Sequence, residues 1–208
     1  MGISEMNYVF TKWAEDLLLD IRTDTEFDDR DGGYRHLRQG WAEVTEANRF
    51  ALTQRFLRVK NAAQSILEIG VCRNGAESFT HCFLNNKKKE TIYVGIDLED
   101  KSFLNNLQNN IYTIKSDSSN YEENMKSMKL IGVTQFDFIF IDGWHSINQC
   151  LRDWEYTTLL SEHGIVGFHD VSYHPGPYQF IRALNKDIWV VEENVCPDDY
   201  GIGFAWKI

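Results

Sequence analysis

The chain has 208 residues, 25% of them charged and 13% aromatic, which suits one globular domain with a full core and excludes a disordered or low-complexity polymer. Asp and Glu number 31 against 21 Lys and Arg, a formal net charge of -10, which argues against a broad nucleic-acid footprint because that needs a basic face. No apolar run approaches a membrane span, and Met1–Glu5 lacks the basic-then-apolar pattern of a signal peptide, so a cytoplasmic protein with no membrane contact is expected. Cys72, Cys82, Cys150 and Cys196 form no C-x-x-C pair and no metal-finger spacing, which fits reduced thiols.

Tyr8, Trp13, Leu17, Leu18 and Ile21 recur at helical spacing, and the acidic stretch from Asp24 to Gly33 ends in a glycine pair that marks a loop. A second helix is predicted over Trp41–Val59, with Val44, Leu52 and Phe56 among its apolar members. Because this segment precedes the first strand, residues 1–60 are expected to form a helical cap over a site built by residues 61–208. Arg35, His36 and Arg38 could face a substrate there; solvated surface is the other reading.

The stretch Ser65-Ile-Leu-Glu-Ile-Gly-Val-Cys-Arg-Asn-Gly75 then reads as a buried strand, a glycine turn and a helix start. Glu68 stands inside the apolar run, where a carboxylate is costly unless paired, and a ligand is one candidate partner. The turn lacks the middle glycine of G-x-G-x-x-G, so a nucleoside ligand without a diphosphate is expected in place of a dinucleotide.

A strand from Thr91 ends in Asp97, an acid roughly twenty residues past the turn, where a carboxylate can accept both hydroxyls of a ribose. The alternative is an acid at the start of a helix carrying Leu104 and Leu107. Ile111–Lys115 is a third strand, followed by Ser116-Asp117-Ser118; Asp117 could accept an adenine amino group, while Ser119 and Glu122 match a capping box. Phe136–Asp142 is almost wholly apolar, as a central parallel strand should be, and runs into Gly143-Trp144-His145. A helix is predicted from Ser146, with Gln149 completing a capping box, to an end at Gly164. Ile165–Phe168 is the fifth strand and leads to His169-Asp170; the loop Tyr173–Pro177, a helix through Ile181 and two closing strands, antiparallel neighbours, follow.

Strands alternating with helices predict an α/β fold: a doubly wound, Rossmann-like, mostly parallel sheet with an antiparallel C-terminal strand. Ligands bind such sheets beyond the carboxyl ends of the strands, where each predicted strand here ends in a polar group.

The motifs Leu-Glu-Ile-Gly-Val-x-Arg-x-Gly, Val-Gly-Ile-Asp, Ser-Asp-Ser, Phe-Asp-Phe-Ile-Phe-Ile-Asp-Gly-x-His and Gly-Ile-Val-Gly-Phe-His-Asp resemble class I S-adenosylmethionine-dependent methyltransferases. The nearest group is that of macrolide-sugar O-methyltransferases and cephalosporin-hydroxylase-like proteins, and the likeness covers Ser65–Asp170. It implies that Glu68, Gly70 and Gly75 border the cofactor's methionine part, that Asp97 holds its ribose, that Asp117 and Ser118 lie near its adenine, that Val71, Arg73 and Leu98 also touch the cofactor, and that Asp142 lies near the transferring methyl. It further implies a divalent cation (Mg, Mn or a softer metal) at Asp142, His169 and Asp170, with His145 as general base. The chain departs from the pattern at His169, where the sugar enzymes carry an acid and where magnesium prefers oxygen. The expected activity is methylation of a small hydroxylated substrate such as a sugar, with no nucleic-acid partner and with self-association open. Methylation of a nitrogen or a protein, and a non-catalytic accessory role, are the alternatives.

Overall fold

The computed structural model describes residues 44–60, 64–71 and 78–208. The expectations for the first helix, for Arg35, His36, Arg38 and Trp41, and for Cys72, Arg73 and Gly75 lie outside those residues.

Helix α1 (Glu46–Lys60) comes first, and strand β1 (Ser65–Ile69) follows. The alternation continues through α2 (Phe79–Asn86), β2 (Ile92–Asp97), β3 (Ile111–Lys115), α3 (Tyr121–Ile131), β4 (Phe136–Ile141), α4 (Ile147–Asp153), β5 (Leu160–His169) and α5 (Pro175–Ala183). Strands β6 (Trp189–Glu192) and β7 (Ile202–Lys207) close the chain. The sheet order is β3-β2-β1-β4-β5-β7-β6. Strands β1 to β5 run parallel, and β7 lies antiparallel between β5 and β6. The order reverses beside β1, and the crevice this leaves above the carboxyl edge is where such sheets hold ligands.

Side chains alternate along the strands and feed two cores. On one face Leu67, Ile139, Val166 and Phe168 pack with Met128, Leu151, Trp154 and Phe180 from the helical side. On the other, Ile66, Tyr93, Phe138 and Phe204 meet Leu52, Phe56 and Val59 of α1 and Phe79 and Phe83 of α2. Phe56 stands edge-on to Phe83 and Phe138, at centroid distances of 5.6 and 5.9 Å. The helix before β1 is therefore a layer of the sandwich, so within the expected cap of residues 1–60 the stretch 46–60 packs against the sheet. Its start is capped by Thr45, whose Oγ1 accepts from the Asn48 amide at 3.1 Å.

At the edge opposite the crevice, Asp137 binds neighbouring strands together. Its Oδ2 accepts from the backbone N–H of Gln64 at 2.6 Å, and its Oδ1 accepts from Ser161 Oγ at 2.6 Å.

Several local expectations change. No helix follows Asp97: Ser102–Leu104 and Leu107–Asn109 are single 3₁₀ turns, and Leu107 is exposed. Asn120, not Ser119, stands at the start of α3. The helix predicted up to Gly164 ends at Asp153, passes into a 3₁₀ segment (Trp154–Leu159), and gives way to a strand already at Leu160. Pro175–Pro177 is the first turn of α5 and not loop, since proline suits a position whose N–H has no helical partner. Among the described residues, no helix is long and apolar enough to cross a membrane.

Candidate functional site

The carboxyl ends of the strands open into a cavity of about 500 Å³. Glu68, Gly70 and Val71 line it from the end of β1, Asp97 and Leu98 from β2, Asp117 and Ser118 from β3, and Asp142 and His145 from β4. Of the residues expected at the site, these nine converge on one space. Among the described residues of this lining, the carboxylates Asp97, Glu99, Asp117 and Asp142 face one ammonium, that of Lys101, with the buried acid Glu68 beneath them. Such a wall favours a cationic ligand and disfavours a phosphate.

Each side chain is placed by local structure. Gly70 has φ 86°, and a Cβ there would meet the Asp142 carbonyl oxygen at 2.0 Å, so this turn needs glycine to let β1 and β4 end side by side. Asp97 accepts from the backbone N–H groups of Val71 at 2.8 Å and Glu99 at 2.7 Å. It thus ties the glycine turn to the end of β2 and caps no α-helix. Asp117 accepts from Ser119 N–H at 2.8 Å, which shapes the β3 turn. Gln149 completes half of the expected capping box, its N–H donating to Ser146 Oγ at 3.1 Å. Its side chain turns instead to Ser118 Oγ (2.9 Å) and Asp153 Oδ1 (2.8 Å).

Glu68 is fully buried, and its partners are within the protein: Thr80 Oγ1 donates to Oε1 at 3.0 Å, and the Tyr93 hydroxyl donates to Oε2. Burial pushes its carboxyl up to about 8, despite the two hydroxyls. Asp153, beneath the β3 and β4 turns, is likewise raised by burial to about 7.

Behind the cavity wall lies a cluster of carboxylates and imidazoles. His169 and Asp170 are each 1% exposed and do not line the cavity; they reach it through Asp142 and His145. Nε2 of His145 lies 2.6 Å from Oδ2 of Asp170. Nδ1 of His169 hydrogen-bonds Oδ1 of Asp142 at 3.1 Å and lies 3.2 Å from Oδ2 of Asp170. Asp170 is thus flanked by both imidazoles through the same oxygen. Asp170 itself is left-handed, φ 62°, a conformation a non-glycine residue holds only where its surroundings demand it. The His145 and His174 rings stack at 4.0 Å, and a Cβ on Gly176 would strike the His145 carbonyl oxygen at 1.9 Å, so the start of α5 presses directly on the His145 turn.

The charges in this cluster are interdependent. Burial works against the His169 imidazolium, but Asp170 and Asp142 outweigh it and hold the ring well above its ordinary value. Burial would raise Asp170, yet His169 and His145 hold it well below the usual carboxylate range. Asp142 is raised by burial, with His169 pulling the other way. His174 is pushed down to about 4 by burial and by His145.

Thr80, Tyr93, Asn48, Asp153 and His174 take part in the site without any sequence signal that singles them out. Gln149 had one, as a capping residue, but the signal described its backbone and not its side chain.

A family model described as a methyltransferase domain matches residues 67–171, slightly more than half of the 208-residue chain. None of the curated proteins matches the sequence. Among solved structures, a methyltransferase from Geobacter sulfurreducens superposes with a TM-score of 0.57 at 12% identity, over 79% of this chain and 80% of its own. Apo CalS11, a TDP-rhamnose 3'-O-methyltransferase of calicheamicin biosynthesis, gives 0.56 at 14% identity over 77% and 80%. The MycE methyltransferase of the mycinamycin pathway, solved with Mg, SAH and mycinamycin VI, gives 0.54 at 19% identity, over 76% of this chain and 48% of its own. The present chain thus spans about half the length of MycE, and at these identities the likeness is one of fold. The family match itself runs from β1 to just past Asp170, through every strand end that lines the cavity: the chain belongs to the family of S-adenosylmethionine-dependent methyltransferase domains.

Proposed function

We propose that this protein methylates a hydroxyl of a small polyhydroxylated substrate, such as a sugar, using S-adenosylmethionine and His145 as general base. The observation that carries the reading is the cavity lining: among the described residues the carboxylates Asp97, Glu99, Asp117 and Asp142 stand with one ammonium, that of Lys101, around about 500 Å³, a volume usual for small-molecule sites and a charge suited to a sulfonium cofactor. When bound, that cofactor supplies an electrophilic methyl group.

The protein's own residues do the rest. Asp97, already fixed by two backbone N–H groups, presents its remaining lone pairs to a ribose diol. Asp117 and Ser118 take the adenine end, and Glu68 with the Gly70 turn takes the methionine end; Arg73 and Gly75 are assigned there too, on the family resemblance. Asp142 stands where the acceptor meets the methyl. The contact of Nε2 with Asp170 favours the His145 tautomer protonated at that nitrogen, which places the lone pair on Nδ1 to take the acceptor's proton. Holding two reactants in line supplies up to about 7–11 kcal/mol of the barrier in good cases. Val44, just before α1, also lines the cavity, which supports a cover formed by the chain ahead of that helix. The thiols of Cys82 and Cys196 are in no disulfide, which fits a cytoplasmic setting.

The test is calorimetric titration with S-adenosylmethionine and, separately, with a reduced nicotinamide cofactor, followed by transfer of a labelled methyl group to a panel of sugars and polyols. Heat from the sulfonium cofactor and label on a hydroxyl are expected. Heat from the nicotinamide alone would overturn the reading; label on nitrogen or protein would redirect it; cofactor binding without any transfer would make the protein an accessory.

A further inference from the structure

His169 stands where the family resemblance implies an acid, and its surroundings bear on what it does there. The ring is held on three sides. Phe79 packs edge-on against it, with centroids 4.7 Å apart. Asn48, buried in α1, donates to both oxygens of Asp199 (3.0 and 3.1 Å) when its amide is oriented to satisfy them, and so turns its own oxygen toward Nε2 of His169, 3.4 Å away. On the third side Nδ1 meets Asp142 at 3.1 Å and Asp170 at 3.2 Å.

A divalent cation among these three residues meets two obstacles. Magnesium takes hard oxygen ligands in near-octahedral array, and the third protein donor here is a nitrogen. A softer metal would accept nitrogen, but only along the direction in which Nδ1 already donates to Asp142. The donor set therefore does not fit magnesium, and a softer metal would have to displace the His169–Asp142 hydrogen bond to enter. An acid at this position would place three carboxylates together and require a cation to hold them. The imidazole removes that requirement, because its N–H lies against both remaining carboxylates.

We propose that the His169 ring takes the place of the divalent metal, hydrogen-bonding Asp142 and lying against Asp170, so that this methyltransferase site works without a metal. The role assigned to the site rests on the function proposed above; the binding claim does not. In this arrangement His169 is a positioning residue. It holds Asp142 at the cavity and Asp170 against His145, and removal of the acceptor's proton falls to His145 unaided by a Lewis acid.

The experiment uses the full chain, stripped with a chelator and returned to metal-free buffer. Binding of Mn²⁺ is followed by the resonance signal of the free ion, and binding of Zn²⁺ by calorimetry, both without cofactor. The wild type is expected to bind neither stoichiometrically, and His169→Glu is expected to gain one Mn²⁺ site, with affinity improved roughly 10- to 100-fold or more. His169→Asp is the second variant should the first not fold. A wild-type site for either metal that Asp142→Asn abolishes would overturn the proposal. So would folded acidic variants that still ignore Mn²⁺, since the ring would then not be what excludes the ion. Because these arms contain no S-adenosylmethionine, failure of cofactor binding would defeat the functional reading separately.

Discussion

Oδ2 of Asp170 stands 2.6 Å from Nε2 of His145, and the Asp170 backbone adopts a left-handed conformation to put it there. A buried carboxylate behind an imidazole fixes which ring nitrogen carries the proton and stabilises the ring once it is charged. His145→Ala should therefore leave cofactor affinity close to wild type and lower turnover by about 10²–10⁴. Asp170→Asn should lower turnover and displace the acidic limb of its pH profile. Calorimetry for affinity and labelled methyl transfer for rate measure the two separately. Unchanged turnover in His145→Ala would remove its role as base.

Glu68 links the site to pH-dependent stability. Its folded pKa is about 8, well above the carboxyl's ordinary value, so the folded chain keeps a proton that the unfolded chain has released. The stabilisation is complete below the ordinary carboxyl range and is lost as pH rises through the folded value, by up to about 1.4 kcal/mol per pH unit. Asp153, at about 7, adds a slope of the same sign that ends earlier. Glu68→Gln mimics the protonated acid, so its stability should fall less than that of the wild type between pH 5 and 8. Denaturant unfolding across that range reads the difference, and parallel curves would show that Glu68 is ionised in the fold.

Asp97 joins two turns through Val71 and Glu99. Asp97→Ala frees both N–H groups and removes the acceptors assigned to ribose. At about 1.5–3 kcal/mol for a hydrogen bond to a charged group, affinity for S-adenosylmethionine should drop roughly 10- to 100-fold or more. Titration calorimetry tests this, and an affinity equal to wild type would exclude Asp97 from the cofactor site.

Gly70→Ala places a Cβ 2.0 Å from the Asp142 carbonyl oxygen at a backbone φ of 86°. Strain of this kind costs about 1–3 kcal/mol before the clash is counted. The variant should unfold at clearly lower denaturant concentration and bind cofactor poorly; a midpoint equal to wild type would mean that the turn shifts without cost.

The strands buried on both faces were legible because burial leaves an apolar run with nothing else to mean: β1, β2 and β4 fall within a residue of their sequence reading. The start of β5 was not, since Ser161, Glu162 and His163 are polar and lie in the part of the strand that reaches past the core. The alternative reading of Asp97, a helix start, came from the apolar Leu104 and Leu107, yet both sit in 3₁₀ turns and Leu107 is exposed, so nothing there draws a helix onto the sheet. The acids at the strand ends were readable one by one. Their partners were not: Tyr93 and Thr80 reach Glu68 from 25 and 12 residues away, and Asn48 reaches His169 from 121. Such pairings are made by topology, and no local pattern reports them.

Asp137 acts as the zero mark of a ruler. It gathers the chain ahead of β1, the first turn of β4 and the beginning of β5, while Glu68 and Asp142 stand at the far end of their strands. Each residue of strand adds about 3.3 Å and turns the next side chain to the opposite face. Deleting one residue between Asp137 and Asp142 would thus lower the reacting end by a full step and point the wrong side chain into the cavity, so the chemistry at one edge of the sheet is measured out from a carboxylate at the other.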